Sequence, residues 1–266
     1  MKVSLIITTY NQPEILQLAI RTAGEQTRLP DEIVIADDGS RDETAEMIRK
    51  IRKLSPVPLL HVWQPDDGFR AARSRNNAIT ASSGDYLLFL DGDCFVNKYF
   101  VEDHLSLAKE KQFLVGTRVN IVPRRQQYIL ATGNTTITFF SWGTRKKFNT
   151  IRSPFLARLY NGKKGSMASA NFSVWREDVY QINGFDESYT GHGGEDGDVA
   201  IRLENAGVTM ERFAHLGMAY HFAHPHRPCP DWEDRVKLHE ETRRNKVTRC
   251  KQGLDEPRDD CEIRKE

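Results

Sequence analysis

Two aspartates separated by one glycine follow a short apolar run. Asp91 and Asp93 come directly after residues 86–90, five consecutive apolar side chains that predict a strand buried on both faces, as at the centre of a parallel sheet. Ligands of an open α/β sheet collect at the carboxyl ends of its strands, so both carboxylates would reach the floor of a crevice. Such a pair suits Mn²⁺ or Mg²⁺ bound together with substrate phosphates. Taken alone, Asp-Gly-Asp is more often a polar turn.

A second acidic cluster lies about one hundred residues further on. Residues 191–198 read Gly-His-Gly-Gly-Glu-Asp-Gly-Asp and precede an amphipathic helical pattern. Glycines let a backbone approach a ligand closely, and a helix N-terminus stabilises negative charge. Helix capping is the plainer explanation of acids at such a position. Capping, however, does not need three acids in four positions after three glycines. We therefore expect a second functional cluster here, formed by Glu195, Asp196 and Asp198.

Histidines are concentrated near residue 222. A lone histidine is more often a packed or solvated side chain, but three fall within six residues here. His221 and His224, three residues apart at the end of an apolar stretch, can bring one or both imidazoles to a metal ion. His226 and Arg227 are weaker candidates, for phosphate.

The elements that would position these residues follow an alternating pattern. Apolar runs at 3–7, 32–36, 59–63 and 86–90 predict strands, and amphipathic stretches between them predict three helices. The first helix begins near Pro13, the second runs to about residue 53 with Ser40 or Asp42 as its cap, and the third covers residues 71–81. This order predicts an α/β fold with a doubly wound, mostly parallel sheet.

The predicted strand ends carry groups that suit a nucleotide diphosphate. They offer a hydroxyl and amide cluster (Thr8, Thr9, Asn11), an acid (Asp38), a basic helix (Arg70, Arg73, Arg75) and the acidic pair. An acid can hold base or ribose groups, and an arginine can hold phosphate. We expect at least one of the three arginines to lie on a solvated helix face. The GxGxxG fingerprint of dinucleotide binding and the Walker lysine loop are both missing.

The second half of the chain has a weaker pattern. We expect a helix at 98–109, a strand at 113–119, and helical or loop segments at 124–164. That last stretch interleaves basic and aromatic residues, so it could bind a phosphorylated glycolipid or a membrane surface. An exposed, partly ordered loop is the plainer explanation. We predict three parts: a first half at 1–100, a second half of the same domain at 101–230, and a charged helix with a frayed tail at 231–266.

Composition excludes several classes of protein. The 266 residues carry a formal net charge of +1 with 28% charged side chains, unlike a nucleic-acid-binding polycation or an acidic disordered chain. The four cysteines form no CxxC pair and predict thiols in a reducing cytosol. Apolar windows are too short to span a membrane. We therefore expect a cytoplasmic protein that at most touches the inner face of the cell membrane.

The ordered set of motifs in the first hundred residues resembles the inverting family 2 glycosyltransferases of the GT-A fold. The resemblance rests on residues 8–11, 37–40, 75–76 and 84–93, and residues 68–76 are similar to a bacterial subset that includes chondroitin-type polymerases. It implies a donor site for a nucleotide sugar, with Mn²⁺ or Mg²⁺ on its diphosphate. Asp93 would bind the metal, and the implied donor contacts are Thr8, Tyr10, Asn11, Asp38, Arg75, Asp91 and Gly92.

The second acidic cluster resembles the GGED region of β-1,4-galactosyltransferases. The resemblance implies that Asp196 is the catalytic base, that Glu195 binds acceptor hydroxyls and that Asp198 supports them. His192 stands where that family has tryptophan, which affects sugar preference rather than chemistry. A histidine from the region near residue 222 completes the metal site in that family, so His221 and His224 are both candidates.

These observations together predict an enzyme. The resemblance implies that residues 1–100 form its nucleotide-sugar-binding half and residues 101–230 its acceptor-binding and catalytic half, with the segments at 124–164 flanking the acceptor site. We expect a metal-dependent inverting hexosyl- or N-acetylhexosaminyltransferase that moves a sugar from a UDP-sugar to a glycan or glycolipid hydroxyl, in bacterial surface polysaccharide or lipopolysaccharide synthesis. One alternative is a nucleotidyltransferase acting on sugar phosphates. Such an enzyme would normally have a glycine-rich phosphate loop with lysine or arginine after the first strand, and this chain does not have one there. The other is a non-catalytic nucleotide-sugar-binding module, which would not need the second acidic cluster.

Overall fold

The structure, a computed structural model, describes residues 1–160, 167, 170–224 and 229–264. The described strands are β1 Val3–Thr9, β2 Glu32–Asp37, β3 Leu59–Trp63, β4 Tyr86–Asp91, β5 Cys94–Val96, β6 Gln112–Gly116, β7 Arg118–Ile121, β8 Thr144–Arg145, β9 Asn171–Trp175, β10 Thr209–Phe213, β11 Ala219–Phe222 and β12 Glu262–Arg264. The helices are α1 Pro13–Gly24, α2 Asp42–Arg52, α3 Ala71–Ala81, α4 Phe100–Leu107, α5 Pro123–Thr132, α6 Pro154–Tyr160, α7 Arg176–Gln181, α8 Glu195–Asn205 and α9 Trp232–Arg244, with a 3₁₀ turn at Lys147–Thr150.

Eight strands form the central sheet in the order β10-β6-β9-β4-β1-β2-β3-β12. β4, β1, β2 and β3 run parallel, as β6 and β10 do, whereas β9 and β12 pair antiparallel with their neighbours. The predicted doubly wound, mostly parallel sheet is therefore confirmed. Because β9 pairs with β4, the two predicted halves of the chain share this sheet.

Helices cover both faces of the central sheet. Alternate residues of β1 point to opposite sides, so Leu5 and Ile7 pack among α1, α2 and α4 while Ile6 packs among α3, α7 and α8. All three side chains are fully buried. Burial on both faces explains why these strands read as continuous apolar runs rather than as an alternating pattern.

A second sheet of four strands, in the order β5-β11-β7-β8, stands beside the carboxyl end of β4. β5 begins at Cys94, three residues after β4 ends at Asp91, and pairs antiparallel with β11. That register sets His221 opposite Cys94, the residue next to Asp93. The small sheet therefore carries the histidine region to the acidic pair.

Several local predictions were wrong. The predicted strand 113–119 is two strands, β6 and β7, in different sheets, and the predicted helix 98–109 is shorter at both ends. The residue before α2 is Arg41, whose side chain does not cap the helix, and the Ser40 hydroxyl instead accepts the Asn11 backbone N–H at 2.9 Å. A six-residue helix, α7, was not predicted.

The C-terminal segment is held rather than frayed as far as it is described. β12 adds to the edge of the central sheet beside β3. Before it, Asp260 pairs with Arg73 and Arg258 donates to Glu187. These ion pairs involve half-buried arginines, whose long side chains bridge the tail to α3 and to the loop before α8. In the part of the chain described above, no helix combines the length and apolar character needed to cross a bilayer.

Candidate functional site

A cavity of about 430 Å³ lies at the carboxyl ends of β1, β2 and β4. Twelve of the fourteen side chains and glycines singled out in the sequence line it. They are Thr8, Tyr10, Asp38, Arg75, Asp91, Gly92, Asp93, His192, Glu195, Asp196, His221 and His224. Residues from six separate segments of the chain, the first at Thr8 and the last at His224, therefore share one space.

The first acidic cluster is built on the sheet itself. The Thr8 hydroxyl donates to Asp91 at 3.2 Å, and β1 and β4 run side by side to this point. A Cβ atom at position 92 would lie 2.2 Å from the Thr8 carbonyl oxygen. Glycine is therefore required between the two aspartates by the close approach of the backbone.

Asp93, His221 and His224 form a cluster with the donor set of a metal site. Asp93 Oδ2 lies 3.3 Å from His221 Nε2 and 3.6 Å from His224 Nε2, and one ligand atom from each residue lies within 4.8 Å of the others. Ligands about 2.1 Å from one cation lie about 3.0 to 3.5 Å apart. The three residues therefore fit a divalent ion, and a set with two imidazoles suits Mn²⁺ better than Mg²⁺.

The pKa values of the two aspartates shift in opposite directions. Burial raises the pKa of Asp91, and the negative charges of Asp93 and Asp196 raise it further, against the opposing effect of Arg75. Burial also raises the pKa of Asp93, but the interactions with His221, Cys94 and His224 together outweigh it, and the pKa of Asp93 lies below its ordinary value.

The second acidic cluster lies on a loop and the first turn of α8. Gly194 precedes the helix at φ 97°, a conformation that favours glycine. Two side chains of α9 hold this loop through its carbonyls. Arg235 donates to Gly193 and to Thr190, the latter at 2.6 Å, and His239 lies 2.8 Å from the Gly194 oxygen. Nothing in the local motif encodes these contacts from α9.

Arg75 joins the two acidic clusters. Its guanidinium lies 3.0 Å from Glu195, 3.4 Å from Asp91 and 3.8 Å from Asp196, and the residue is 4% exposed. Burial lowers the pKa of Arg75, but the three carboxylates raise it above its ordinary value. Arg75 is therefore a buried cation that draws both clusters together.

Asp38 lies at the end of β2 and is almost fully buried. Its two oxygens accept a hydrogen bond from the Gln64 side chain at 2.6 Å and from the Arg70 backbone N–H at 2.8 Å. Burial raises the pKa of Asp38 to about 6, although these two bonds oppose the shift. The neighbouring Asp37 lies 2.7 Å from His61 in the interior.

Two predicted site residues do not line the cavity. Asp198 is buried and lies 2.6 Å from Arg202, one helical turn along α8, so its carboxylate pairs within the interior and not with the cavity. Asn11 has φ 51°, and its side-chain oxygen accepts the Arg41 backbone N–H at 2.9 Å. Asn11 thus shapes the loop beside Tyr10, whose hydroxyl donates to Asp66 at 3.0 Å.

The sequence predicted that at least one of Arg70, Arg73 and Arg75 lies on a solvated helix face, and this prediction was wrong. Arg73 pairs with Glu187 at 2.8 Å, and Arg70 donates to the Pro65 carbonyl at 2.7 Å. Together with Arg75, all three make contacts within the fold. His226 and Arg227, the weaker phosphate candidates, lie outside the described residues.

The cavity is also lined by residues that were not singled out in the sequence, among them Gln12, Phe69, Ala71, Ser74 and Arg118. Arg118 is the first residue of β7, and its charge lowers the pKa of Asp91. It makes no ion pair with an acid among the described residues. A lone arginine at the start of a strand carries no motif, and only the pairing of β7 with β11 reveals its position.

Two models of known families match this chain, and each of them includes one of the two acidic clusters. The family model described as glycosyl transferase family 2 matches residues 4–181, which include Asp91 and Asp93. A second model, described as the N-terminal domain of galactosyltransferase, matches residues 159–225, which include Glu195, Asp196, His221 and His224.

Curated relatives are similar at low identity. Validoxylamine A glucosyltransferase of Streptomyces hygroscopicus subsp. limoneus is 29% identical over 78% of this chain and 49% of the relative. Chondroitin synthase of Escherichia coli is 26% identical over 82% of this chain and 34% of the relative. The chain thus spans about half or less of the length of these relatives.

Solved structures share the fold. S. aureus TarS matches with a TM-score of 0.61 at 16% identity, covering 92% of this chain and 41% of TarS. GalNAc-T7 with UDP, GalNAc and Mn²⁺ matches with a TM-score of 0.66 at 16% identity, covering 90% of this chain and 48% of GalNAc-T7. At such identities the likeness concerns the fold alone, and it confirms the predicted GT-A type.

Proposed function

Because this chain belongs to glycosyl transferase family 2, we propose that it transfers a sugar from a nucleotide diphosphate to a glycan hydroxyl with inversion at the anomeric carbon. One observation carries the proposal. Arg75 contacts Asp91 of one acidic cluster and both Glu195 and Asp196 of the other. The acidic pair proposed for the metal and the acid proposed as general base therefore line the same cavity. A binding module would need only the first cluster.

The proposed donor is a UDP-sugar carrying a hexosyl or N-acetylhexosaminyl group. GalNAc-T7 was solved with UDP and TarS in complex with UDP, whereas the mannosyltransferase PcManGT was solved with GDP-Man. In our proposal Thr8, Tyr10 and Asp38 hold the uridine, since they line the cavity at the ends of β1 and β2. Asn11 supports this loop through the backbone.

Asp93, His221 and His224 would hold Mn²⁺ or Mg²⁺ in this proposal. GalNAc-T7 and PcManGT were both solved with Mn²⁺, and the cluster suits that ion. When bound, the cation neutralises charge on the departing diphosphate as a Lewis acid.

Arg118 is the proposed cation for the diphosphate. The sequence suggested Arg75 for this task, but Arg75 already faces three carboxylates and is almost fully buried. Arg118 is half-buried at the cavity and makes no such ion pair within the described chain. An arginine can bind phosphate oxygens through two parallel N–H donors.

Asp196 is the proposed general base. Its carboxylate accepts the proton of the acceptor hydroxyl while that oxygen forms a bond to the anomeric carbon. The bond from this carbon to the phosphate oxygen breaks, and its electron pair leaves with the nucleotide diphosphate. Attack from the face opposite the leaving group inverts the configuration. The side chain is 24% exposed at the cavity, within reach of a substrate.

Glu195 and His192 are the proposed acceptor contacts. Glu195 Oε1 accepts from Arg75, whereas Oε2 is buried with no hydrogen-bond partner in the described chain. An unsatisfied buried carboxylate oxygen is costly, and an acceptor hydroxyl would satisfy it. His192 packs edge-on against Phe69 at 5.6 Å beside the same cavity.

The proposed setting is synthesis of a bacterial surface polysaccharide or lipopolysaccharide on the cytoplasmic side. Similarity to proteins named chondroitin synthase and hyaluronan synthase supports a glycan acceptor. All four cysteines are unpaired thiols, as a reducing compartment favours.

A donor screen tests the proposal. The protein is incubated with a panel of UDP- and GDP-sugars, with Mn²⁺, with Mg²⁺ or with chelator, and the released nucleotide is measured. We expect release of UDP from one or two UDP-sugars with Mn²⁺, and none with chelator. Full activity in chelator contradicts the metal assignment, and release of pyrophosphate from a nucleoside triphosphate with a sugar phosphate would indicate a nucleotidyltransferase.

A further inference from the structure

Charge is distributed very unevenly along this nearly neutral chain. Residues 112–176 contain 11 basic and no acidic side chains, whereas the rest of the chain contains 27 basic and 37 acidic ones. Net charge alone hides this asymmetry. A stretch of 65 residues without an acid indicates a region that meets negative charge.

The same region exposes large apolar side chains. Seven of the fifteen such side chains in the described chain lie between residues 123 and 160: Tyr128, Leu130, Phe140, Trp142, Phe148, Phe155 and Leu159. Phe140 is 89% exposed, and Phe148 and Phe155 are each 70% exposed. Scattered exposed residues need no explanation, but a concentration marks an interaction site.

Basic and aromatic side chains are interleaved in one short segment. Phe139 contacts both Phe140 and Phe148, at 5.4 and 5.5 Å between ring centres, and Arg145, Lys146 and Lys147 lie between these two phenylalanines in the chain. All three cations are exposed and make no ion pair with a described acid. We name Phe140, Arg145, Lys146, Lys147 and Phe148 the basic aromatic surface.

Helix α6 continues the same chemistry along the chain. Phe155, Arg158 and Leu159 are exposed and spaced three and four residues apart, so they share one helix face. Ala157 is buried with Leu114, Phe213 and Leu216, which fixes α6 to the body of the protein. The opposite face of α6 remains exposed.

The basic aromatic surface lies close to the metal-site cluster. β8, which contains Arg145, is the edge strand of the small sheet. His221 is paired with Asn120, and Asn120 with Arg145. Two strand spacings separate the backbones of His221 and Arg145, about 10 Å.

We propose that the basic aromatic surface binds an anionic lipid bilayer. Lysines and arginines attract anionic headgroups, and aromatic rings favour the boundary between headgroups and acyl chains. Charge complementarity identifies the occupant as anionic, and the exposed phenylalanines favour lipid over a soluble acidic polymer. Binding there would hold the cavity beside the membrane, where a lipid-linked substrate is confined.

Vesicle sedimentation tests this inference without any sugar transfer. The protein is mixed with vesicles of phosphatidylcholine alone or with one third phosphatidylglycerol. We expect binding only to the anionic vesicles, weakened at high salt because screening shortens the reach of charge. Each surface lysine contributes about fivefold in affinity, so the double variant Lys146→Gln, Lys147→Gln is expected to bind about 25-fold more weakly. The double variant Phe140→Ser, Phe148→Ser is expected to bind the anionic vesicles at least tenfold more weakly.

Matched controls lie on α2 and just after it. Lys50→Gln with Lys53→Gln removes two exposed lysines, and Leu54→Ser removes an apolar side chain that is 83% exposed. We expect normal binding by both control proteins. The inference is overturned if the protein ignores anionic vesicles, if control and surface variants weaken equally, or if it binds soluble dextran sulfate but not vesicles. It is also overturned if light scattering shows a dimer that the phenylalanine variant dissociates while vesicle binding is absent.

Discussion

The two acidic clusters of the cavity are positioned in different ways. Asp91 is the last residue of β4, which pairs with β1 on one side and β9 on the other. Asp93 follows Gly92, where a side chain would clash with the Thr8 carbonyl. Glu195 and Asp196 follow a glycine loop whose carbonyls are held by two side chains of α9. Backbone pairing positions the first cluster, and side-chain contacts position the second.

This difference separates the two kinds of damage that mutation can cause. Displacing the first cluster means disturbing the centre of the sheet, so its geometry and the stability of the fold are coupled. The second cluster can shift when a single contact from α9 is lost, while the core remains packed. In the proposed function, the donor side is therefore the fixed part of the site and acceptor positioning is the adjustable part.

The largest expected effect comes from Asp196→Asn. A positioned general base contributes roughly 10²–10⁴ in rate, so turnover should fall by that factor while the affinity for UDP stays nearly constant. Turnover and nucleotide affinity are measured separately, by product release and by calorimetry. Glu204→Gln, an exposed acid on the same helix, is the control and should behave as the unmodified protein. Near-normal turnover of Asp196→Asn would remove Asp196 from the role of base.

Arg235→Met is expected to have the next largest effect. It removes the donor to the Gly193 and Thr190 carbonyls but keeps an apolar stem against Tyr189, over which the Arg235 guanidinium lies at 5.6 Å. A loop displaced by about 1 Å costs up to about 100-fold, so transfer should fall roughly 10- to 100-fold with unchanged UDP affinity.

Lys237→Met is the matched control for this contact. Lys237 lies two residues further along α9 and its side chain is 69% exposed. The thermal midpoint of both variants is compared with that of the unmodified protein. If Arg235→Met lost UDP affinity and transfer equally, the loop would also position the donor side. The two acidic clusters would then not be positioned independently.

Short contiguous motifs account for what could be predicted from the sequence. The runs ending at Thr9, Asp37 and Asp91 are continuous and apolar, so the parallel strands and the cavity at their ends were predictable. The GT-A fold and most of the cavity lining follow from such motifs. Asp198 was misjudged because it belongs to the same motif as Asp196, although Arg202 four residues later indicates an internal ion pair.

Contacts between distant segments account for what could not be predicted. Arg235 reaches Gly193 across 42 residues, and Arg73 reaches Asp260 across 187. Neither contact has a local pattern, because any charged helix offers the same side chains to solvent. The tail was therefore expected to fray, and Arg118 stayed unnoticed until the pairing of the small sheet brought it to the cavity.

The smallest expected effect is a pH dependence of uridine binding through Asp38. Burial raises the pKa of Asp38 to about 6, so the carboxylate predominates above this pH and the neutral acid below it. The imide N–H of uracil needs an acceptor, and protonation occupies one lone pair of the carboxyl group. About one molecule in ten is ionised at pH 5, so we expect the Kd of uridine to rise about tenfold between pH 8 and pH 5.

The measurement uses uridine itself, without metal, followed by NMR titration. Uridine has no phosphate that titrates in this range, and omitting metal removes the contribution of the histidine cluster. Asp38→Asn is the comparison protein and should bind weakly at every pH, with a flat profile. A Kd of uridine that is equally flat in the unmodified protein would mean that Asp38 does not contact the base. The rigid strand-end acid would then act only within the fold, through Gln64 and the Arg70 backbone.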